Sequence, residues 1–251
     1  MDNSRRKFIK IAGLAAAVGM GSGWGLKASA SYEPKVKEYK ASKEAIKGKR
    51  WAMIIDTRKF ETENDFKKCI NACHSIHNVP DIPGDQDVKW IWTDHFTHVF
   101  PNKENPYLAE KLENKEFLLL CNQCDDPPCV RVCPTKATFQ REDGIVVMDF
   151  HRCIGCRYCM AGCPYGSRSF NFGDPREYLK EENMDYPTRM RGVVEKCDFC
   201  LERLAEGKMP ACVEASEGKI IFGDLGDPDS EIRRVLRDNF TIRRRADLGT
   251  N

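Results

Sequence analysis

Apolar residues in this chain occur in short runs separated by long polar stretches that contain proline and glycine. The runs have the length and composition typical of β-strands. The predicted strands cover residues 50–56, 88–96, 117–120 and 219–222. A hairpin is predicted with strands at 137–140 and 144–149, and a short helix over 196–206 is predicted to end at Gly207. The pattern therefore predicts small elements joined by long loops.

Thirteen cysteines are the candidate chemistry of the chain, and eight of them form two runs of four that each end in Cys-Pro. The second run has the spacing C-x2-C-x2-C-x3-C-P, which is typical of bacterial ferredoxins that bind 4Fe-4S clusters. The first run has the same spacing except for two extra residues before its third cysteine. The runs are Cys121, Cys124, Cys129 and Cys133, then Cys153, Cys156, Cys159 and Cys163.

The fourth cysteine of such a run binds the cluster of the other run, because it lies beyond the loop that carries the first three. This crossover predicts two ligand sets. Set A is Cys121, Cys124, Cys129 and Cys163, and set B is Cys153, Cys156, Cys159 and Cys133. Residues 121–164 are therefore predicted to form a two-cluster ferredoxin module by themselves.

The remaining cysteines flank that module and predict a third cluster. Downstream lie a C-x2-C pair and, after a long insertion, one more cysteine; upstream lies only the C-x3-C pair of Cys69 and Cys73. The same crossover gives set C, which is Cys197, Cys200, Cys212 and Cys73. Ser216 occupies the position where the downstream run would have its fourth cysteine.

A fourth cluster site is predicted to be vacant. Of the four ligands that it requires only Cys69 is present, because Ser216 replaces one cysteine and the upstream run lacks its first two. Phe60 lies near the place expected for the first of them. Even a three-iron cluster requires about three thiolates. Cys69 is therefore interpreted as a buried, weakly polar side chain and not as a ligand.

Three other cysteine chemistries compete with this interpretation. Four-cysteine zinc sites also use paired C-x2-C motifs, but zinc does not require runs that end in Cys-Pro. Structural disulfides suit exported proteins, although cysteines so closely spaced seldom pair with one another. Covalent haem requires C-x-x-C-H, and the stretch from Cys69 to His74 is one residue too long. A zinc-stapled structural or binding module stays the alternative from outside redox biology.

The amino terminus has the features of a twin-arginine export signal. Twin arginines precede an apolar stretch over residues 11–20, and an Ala-Ser-Ala site ends the segment at Ala30. Residues 1–30 are therefore predicted to be the signal, and the lysine-rich residues 31–50 a linker. Because this route exports folded proteins, the expected location is the periplasm or the extracytoplasmic face of the membrane. An uncleaved amino-terminal anchor is the alternative.

Composition excludes several classes of function. The 251 residues carry a formal net charge of +2, so nothing indicates a nucleic-acid partner. The sequence has no dinucleotide- or phosphate-binding loop, and its five histidines are scattered, so the chain is not predicted to transform a substrate by itself. Trp90 and Trp92 alternate along a predicted strand and are interpreted as packing residues, not as a quinone site. The arginine-rich tail 233–245 is interpreted as a solvated helical face in preference to a partner surface.

Together these motifs resemble the periplasmic four-cluster ferredoxin subunits of membrane oxidoreductases, such as those of polysulfide, tetrathionate and nitrite reductases. The segments that carry the resemblance are the two runs within 121–164, Lys196-Cys-Asp-Phe-Cys, Pro210-Ala-Cys-Val and Phe222-Gly-Asp-Leu-Gly-Asp-Pro. The chain departs from the family at the two absent upstream cysteines and at Ser216-Glu217, where the family has Cys-Pro. With its export signal and degraded fourth site it is most similar to the iron–sulfur subunits of DsrMKJOP-type complexes.

The resemblance implies an α+β fold of two nested bacterial-ferredoxin-like modules, with short strands and helices and long loops. The inner module would be residues 121–164, and the outer module residues 51–120 and 165–251 with one cluster retained. Three 4Fe-4S clusters would relay electrons in a membrane-associated, quinone-linked respiratory complex of dissimilatory sulfur metabolism. The expected partners are an integral membrane quinol-interacting subunit and a multihaem cytochrome c subunit. A freely diffusing periplasmic ferredoxin is the alternative within redox biology.

Overall fold

Residues 41–250 are described by the structure, a computed structural model. The predicted export signal and residues 31–40 of the predicted linker lie outside the described residues. The described part consists of short strands and mostly short helices, as the hydrophobic pattern predicts. Within residues 41–250 no helix has the length and apolar composition required to cross a membrane.

The strands of the described residues pair into antiparallel two-stranded sheets. The pairs are β1 (Trp51–Ile55) with β8 (Ile220–Asp224), β2 (Ile91–His95) with β3 (Glu116–Leu120), β4 (Thr138–Gln140) with β5 (Val146–Met148), and β6 (Ser169–Phe170) with β7 (Val194–Glu195). The predicted strands and the predicted hairpin are confirmed, with ends that differ by a few residues. The short strands β6 and β7 carry too little apolar pattern to be predicted.

The helices of the described residues are mostly one turn long. They are α1 (Glu63–Ile76), α2 (Phe96–Val99), α3 (Glu110–Glu113), α4 (Pro128–Arg131), α5 (Tyr158–Ala161), α6 (Leu201–Ala205), α7 (Ala211–Ala215) and α8 (Glu231–Asp238). The helix predicted over 196–206 begins later than expected. Phe199 and Cys200 have left-handed backbone conformations, with φ of 59° and 53°, which a helix cannot contain.

The longest helix, α1, was not predicted, although the sequence carries its signal. Its buried residues Phe66, Cys69 and Cys73 recur at the spacing i, i+3, i+7, which is one face of a helix. At its start the Asp65 carboxylate accepts hydrogen bonds from the backbone N–H of Thr62 at 2.9 Å and from its hydroxyl at 2.9 Å. The helix therefore presents both upstream cysteines to the core.

One core joins segments that lie before and after residues 121–164. Strand β1 pairs with β8, and α1 packs against α7. Trp51 of β1 stacks on Phe222 of β8 with ring centroids 5.0 Å apart, and Phe199 meets the same ring edge-on at 5.5 Å. These contacts bring Cys73 on α1 and Cys212 on α7 into the same buried cluster.

A buried ion pair organises the polar loops beside this core. The Arg189 guanidinium donates to the Glu195 carboxylate at 2.7 Å, and both side chains are fully buried. The Trp90 indole donates to the same carboxylate at 2.9 Å, and Arg189 also donates to the backbone carbonyls of His77 and Asn78. Because a buried charge is costly unless it is paired and hydrogen-bonded, these loops have one stable arrangement. Trp90 is 1% exposed, which confirms its packing role.

The ends of the described chain contact the outer core. In the predicted linker, the backbone N–H groups of Ser42 and Ile46 donate to carbonyls of α6. At the other end, Ile232 of α8 is fully buried and packs beneath Gly223 of β8. The predicted helical face of the arginine-rich tail is present only as far as Asp238, where α8 ends.

Candidate iron–sulfur centres

Three C-x2-C loops share one backbone feature. The residue before the second cysteine has a positive φ in each loop: 46° at Gln123, 69° at Gly155 and 59° at Phe199. At Gly155 a Cβ atom would meet the carbonyl oxygen of Gly192 at 2.5 Å, so only glycine fits there. In the first and third of these loops the two thiols of the pair line the same cavity.

Set A lines one cavity. Its four cysteines line this cavity together with neighbours that include Pro128, Val146, Tyr165 and Arg168. Burial, together with the other three thiols of the set, raises the pKa of the Cys124 thiol to about 12. The crossover cysteine, Cys163, is likewise raised in pKa, first by burial and then by set A thiols. The four thiols are therefore mutual neighbours.

Set C lines a second cavity, and its cysteines are more deeply buried than those of set A. All four of its cysteines are buried, although Cys73 comes from α1 and the other three from residues 197–212. The pKa of Cys73 is well above its usual range. Burial is the largest cause, and the neighbouring thiols of Cys200, Cys197 and Cys212 also raise it. Burial also raises the pKa of Cys212 to about 12.

Set B lies at the surface. Cys156 is exposed, Cys153 is partly exposed and Cys159 is buried. The pKa of Cys159 is raised, chiefly by burial and in part by the Cys153 thiol. Cys133 contacts the Thr135 hydroxyl at 3.7 Å, and backbone hydrogen bonds lower its pKa against the effect of burial. The membership of Cys133 in set B stays a prediction.

The three sets follow one another in space. The Cys129 thiol of set A contributes to the raised pKa of Cys159 in set B. The Cys121 thiol of set A contributes in the same way to the pKa of Cys197 in set C, after burial and Asp198. Set A therefore lies between the surface set B and the buried set C.

The residues assigned to the predicted vacant site have contacts inside the protein. Cys69 is fully buried, and burial raises the pKa of its thiol to about 11. The Ser216 hydroxyl donates to the Val213 carbonyl at 2.7 Å and accepts from the Ile220 N–H at 3.0 Å. Phe60 stacks on a phenylalanine of α1 at 5.0 Å in the same core. These side chains are packed or hydrogen-bonded within the protein, and the vacancy of the fourth site stays a prediction.

The chemistry of the donors fits iron–sulfur clusters. All thirteen cysteines are free thiols. Four soft thiolates around one cavity suit an iron–sulfur cluster or zinc, and do not suit magnesium or calcium. Because buried thiols have raised pKa values, a bound cation is required to keep them as thiolates. Sets A and C therefore have the donors for such a group, and their buried thiolates require its positive charge.

Comparison with known proteins decides between these metals. Two family profiles described as "4Fe-4S dicluster domain" match residues 115–174 and residues 145–215. The first match contains all the cysteines of sets A and B, and the second contains Cys197, Cys200 and Cys212.

Whole-length relatives agree. The chain is 41% identical to the Hdr-like menaquinol oxidoreductase iron-sulfur subunit 1 of Archaeoglobus fulgidus, over 99% of this chain and 95% of the relative. It is 34% identical to a subunit of the tetrathionate reductase of Salmonella typhimurium, over 95% of this chain and 81% of the relative. It is 33% identical to the iron-sulfur cluster-binding subunit of the menaquinone reductase of Nitratidesulfovibrio vulgaris, over 80% of this chain and 86% of the relative.

The chain belongs to the iron–sulfur subunits of oxidoreductase complexes. Like its relatives, this iron–sulfur subunit carries 4Fe-4S clusters and transfers electrons, and it is not itself the catalytic subunit.

Several polar residues at the sets were missed from the sequence. His77 lines the set C cavity, where its ring stacks on Trp90 at 4.9 Å and its Nε2 lies 2.8 Å from the Glu202 carboxylate. Burial lowers the pKa of His77, but Glu202 and Asp198 raise it above its usual value overall. The only sequence signal is the spacing of four from Cys73, which places both on one helix face.

Substitution of the two upstream cysteines separates a ligand from a core residue. In Cys73→Ala we expect loss of about four iron atoms per chain, because set C would keep only three thiolates. Cys69→Ala is the matched control, since Cys69 lies one turn away on the same helix face, and its iron content should be unchanged. The measurement is iron per chain after anaerobic purification; equal losses in both variants would contradict set C.

Proposed function

We propose that this subunit relays electrons through three 4Fe-4S clusters held by sets A, B and C. The observation that carries the proposal is that eight cysteines divide between two cavities in the two groups of four that the crossover predicts. A bound cluster of this type supplies one-electron redox chemistry. The cysteines bind it, and the surrounding apolar side chains exclude water.

The nested arrangement of modules is part of this proposal. Support comes from the pairing of β1 with β8 and of α1 with α7, which joins segments from both sides of residues 121–164. A second support is the second dicluster match, which runs from the inner module into residues 165–215. The outer module would then retain set C alone.

Iron and sulfide analysis tests the number of clusters. We expect about 12 iron and about 12 sulfide per chain, because three cubane clusters contain four of each. Electron paramagnetic resonance of the reduced protein should show three one-electron signals. A value near 16 iron would contradict the vacant site, and colourless zinc protein without acid-labile sulfide would favour the zinc-stapled module.

The partners are proposed from the relatives and from the surface. Two of the relatives are named as a menaquinol oxidoreductase subunit and a menaquinone reductase subunit. We therefore propose that this subunit docks on an integral membrane quinol-interacting subunit, in a quinone-linked complex that also contains a multihaem cytochrome c. The names of tetrathionate and polysulfide reductases among the relatives support a setting in dissimilatory sulfur metabolism.

The face around set B is the proposed place where one redox partner docks. Cys156 is exposed there, and two large apolar side chains beside it are also exposed, Ile154 at 67% and Tyr158 at 63%. Exposed apolar side chains grouped at one place commonly mark a protein interface. Docking at this face would exclude water from set B, which is otherwise exposed to solvent at Cys156.

A pair of tyrosine variants tests this face. Tyr158→Ala should weaken binding to the membrane partner about tenfold, ~1.4 kcal/mol, because aromatic anchors dominate interface energies. Tyr107→Ala is the control, since Tyr107 is 94% exposed and none of its contacts involves a cluster cysteine. The measurement is a binding titration against the membrane subunit, with iron content checked in both variants. Equal affinities would contradict docking at set B, and a wild-type protein that binds no membrane partner would favour the free ferredoxin.

Export by the twin-arginine route remains a proposal that rests on residues 1–30. The double substitution Arg5→Lys and Arg6→Lys should leave the protein in the cytoplasm with its iron bound, because the export machinery recognises the arginine pair. Fractionation of cells into cytoplasm, periplasm and membrane gives the result. Unchanged export of the double variant would contradict the route, and an uncleaved wild-type chain in the membrane fraction would favour the amino-terminal anchor.

A further inference from the structure

Three cationic side chains are buried within residues 41–250: Arg168, Arg189 and Lys196. Arg189 is paired with the carboxylate of Glu195. The other two lie within 4.0 Å of no carboxylate of the described residues. A buried cation without a negative partner is strongly unfavourable, so another source of negative charge is expected beside each of them.

Arg168 lies between set A and set B. Its Nη2 donates to the Cys129 thiol sulfur at 3.1 Å and to the Thr138 hydroxyl at 2.6 Å, and its Nη1 lies 3.7 Å from the Met148 sulfur. Arg168 also acts on the Cys159 thiol of set B, whose pKa it lowers against the effect of burial. One guanidinium therefore faces ligands of two different sets.

Lys196 occupies the corresponding place between set A and set C. Its ammonium donates to the carbonyl of Val146, which lines the set A cavity, and at 2.6 Å to the carbonyl of Cys197 in set C. Gln123, from the set A loop, crosses the same gap: it donates to the Cys197 carbonyl at 2.9 Å and accepts from the Val146 N–H at 2.8 Å. Both partners of Lys196 are neutral carbonyls, so neither balances its charge.

We propose that Arg168 and Lys196 are the counter-charges of the clusters, one in the gap between sets B and A and the other in the gap between sets A and C. This inference rests on the proposed function, because thiolate-bound clusters supply the negative charge that the cations lack. Each cation then stabilises the reduced, more negative form on both sides of its gap. The two residues are positioning and tuning residues, since net charge and hydrogen bonds to sulfur set the potentials of such clusters.

Four variants in the full chain test the proposal: Arg168→Gln, Arg168→Lys, Lys196→Met and Lys196→Arg. Arg152→Gln is the matched control, because it removes a positive charge beside Cys153 from an exposed arginine paired with Asp149. Iron and sulfide are measured first. Redox titration followed by electron paramagnetic resonance then gives the potential of each signal.

Removing a buried cation should lower two of the three potentials. In Arg168→Gln and in Lys196→Met we expect at least a tenfold change in the reduction equilibrium of two signals, ~59 mV for a one-electron couple. The reduction potential of the set A signal should be lowered in both variants, because set A borders both gaps. The charge-retaining variants and Arg152→Gln should give smaller shifts.

The remaining outcomes also decide the question. Iron loss in Arg168→Gln and Lys196→Met that is absent from the lysine and arginine variants would support the counter-charge role. Full iron with potentials no lower than in Arg152→Gln would overturn it, and so would equal iron loss in the charge-removing and charge-retaining variants. Wild-type protein without iron would instead refute the proposed function itself.

Discussion

The burial of negatively charged sulfur is the constraint on which this structure depends. Eight cysteines line two cavities in groups of four, although burial and mutual repulsion disfavour the thiolate form of such cysteines. Set C shows the cost most plainly, since all four of its thiols are buried and the pKa of Cys73 is well above its usual range. Bound iron and nearby positive charge both favour the thiolate form, and the buried cations Arg168 and Lys196 lie beside these sets.

The same constraint explains how such short elements form a stable protein. Two-stranded sheets and one-turn helices are marginal by themselves. Each set, however, takes its cysteines from segments far apart in the chain, as Cys73 and Cys212 show for set C. A bound cluster therefore cross-links distant segments, as structural metals do in other small folds. The hydrophobic core around Trp51 and Phe222 supports these cross-links at the outer end.

The sequence specifies the grouping of the cysteines better than their surroundings. Spacing alone divides Cys121–Cys163 and the flanking cysteines into sets, because a C-x2-C loop can take few conformations around a cluster. The residues between the sets carry no comparable signal. In the sequence Arg168 and Lys196 look like ordinary surface cations. Only the fold shows that both are buried and that neither is paired with a carboxylate of the described residues. Helix α1 was missed for another reason: two of its three buried positions are cysteines, whose ligand chemistry masks the helical spacing that they share with Phe66.

The surroundings of set C bear on how electrons could reach it. Phe60, its stacking partner on α1 and Cys69 belong to the same hydrophobic core as the set C cysteines, and the Ser216 hydroxyl is hydrogen-bonded to the backbone. The cavity of set C is lined in part by His77 and Trp90, which the buried Arg189–Glu195 pair holds in place. A partner that exchanges electrons with set C must approach through one of these protein walls, whereas a partner at set B meets the exposed Cys156 directly. In the proposed relay of three clusters the two ends are therefore unequal: protein encloses set C, whereas at set B a docked partner would have to exclude water.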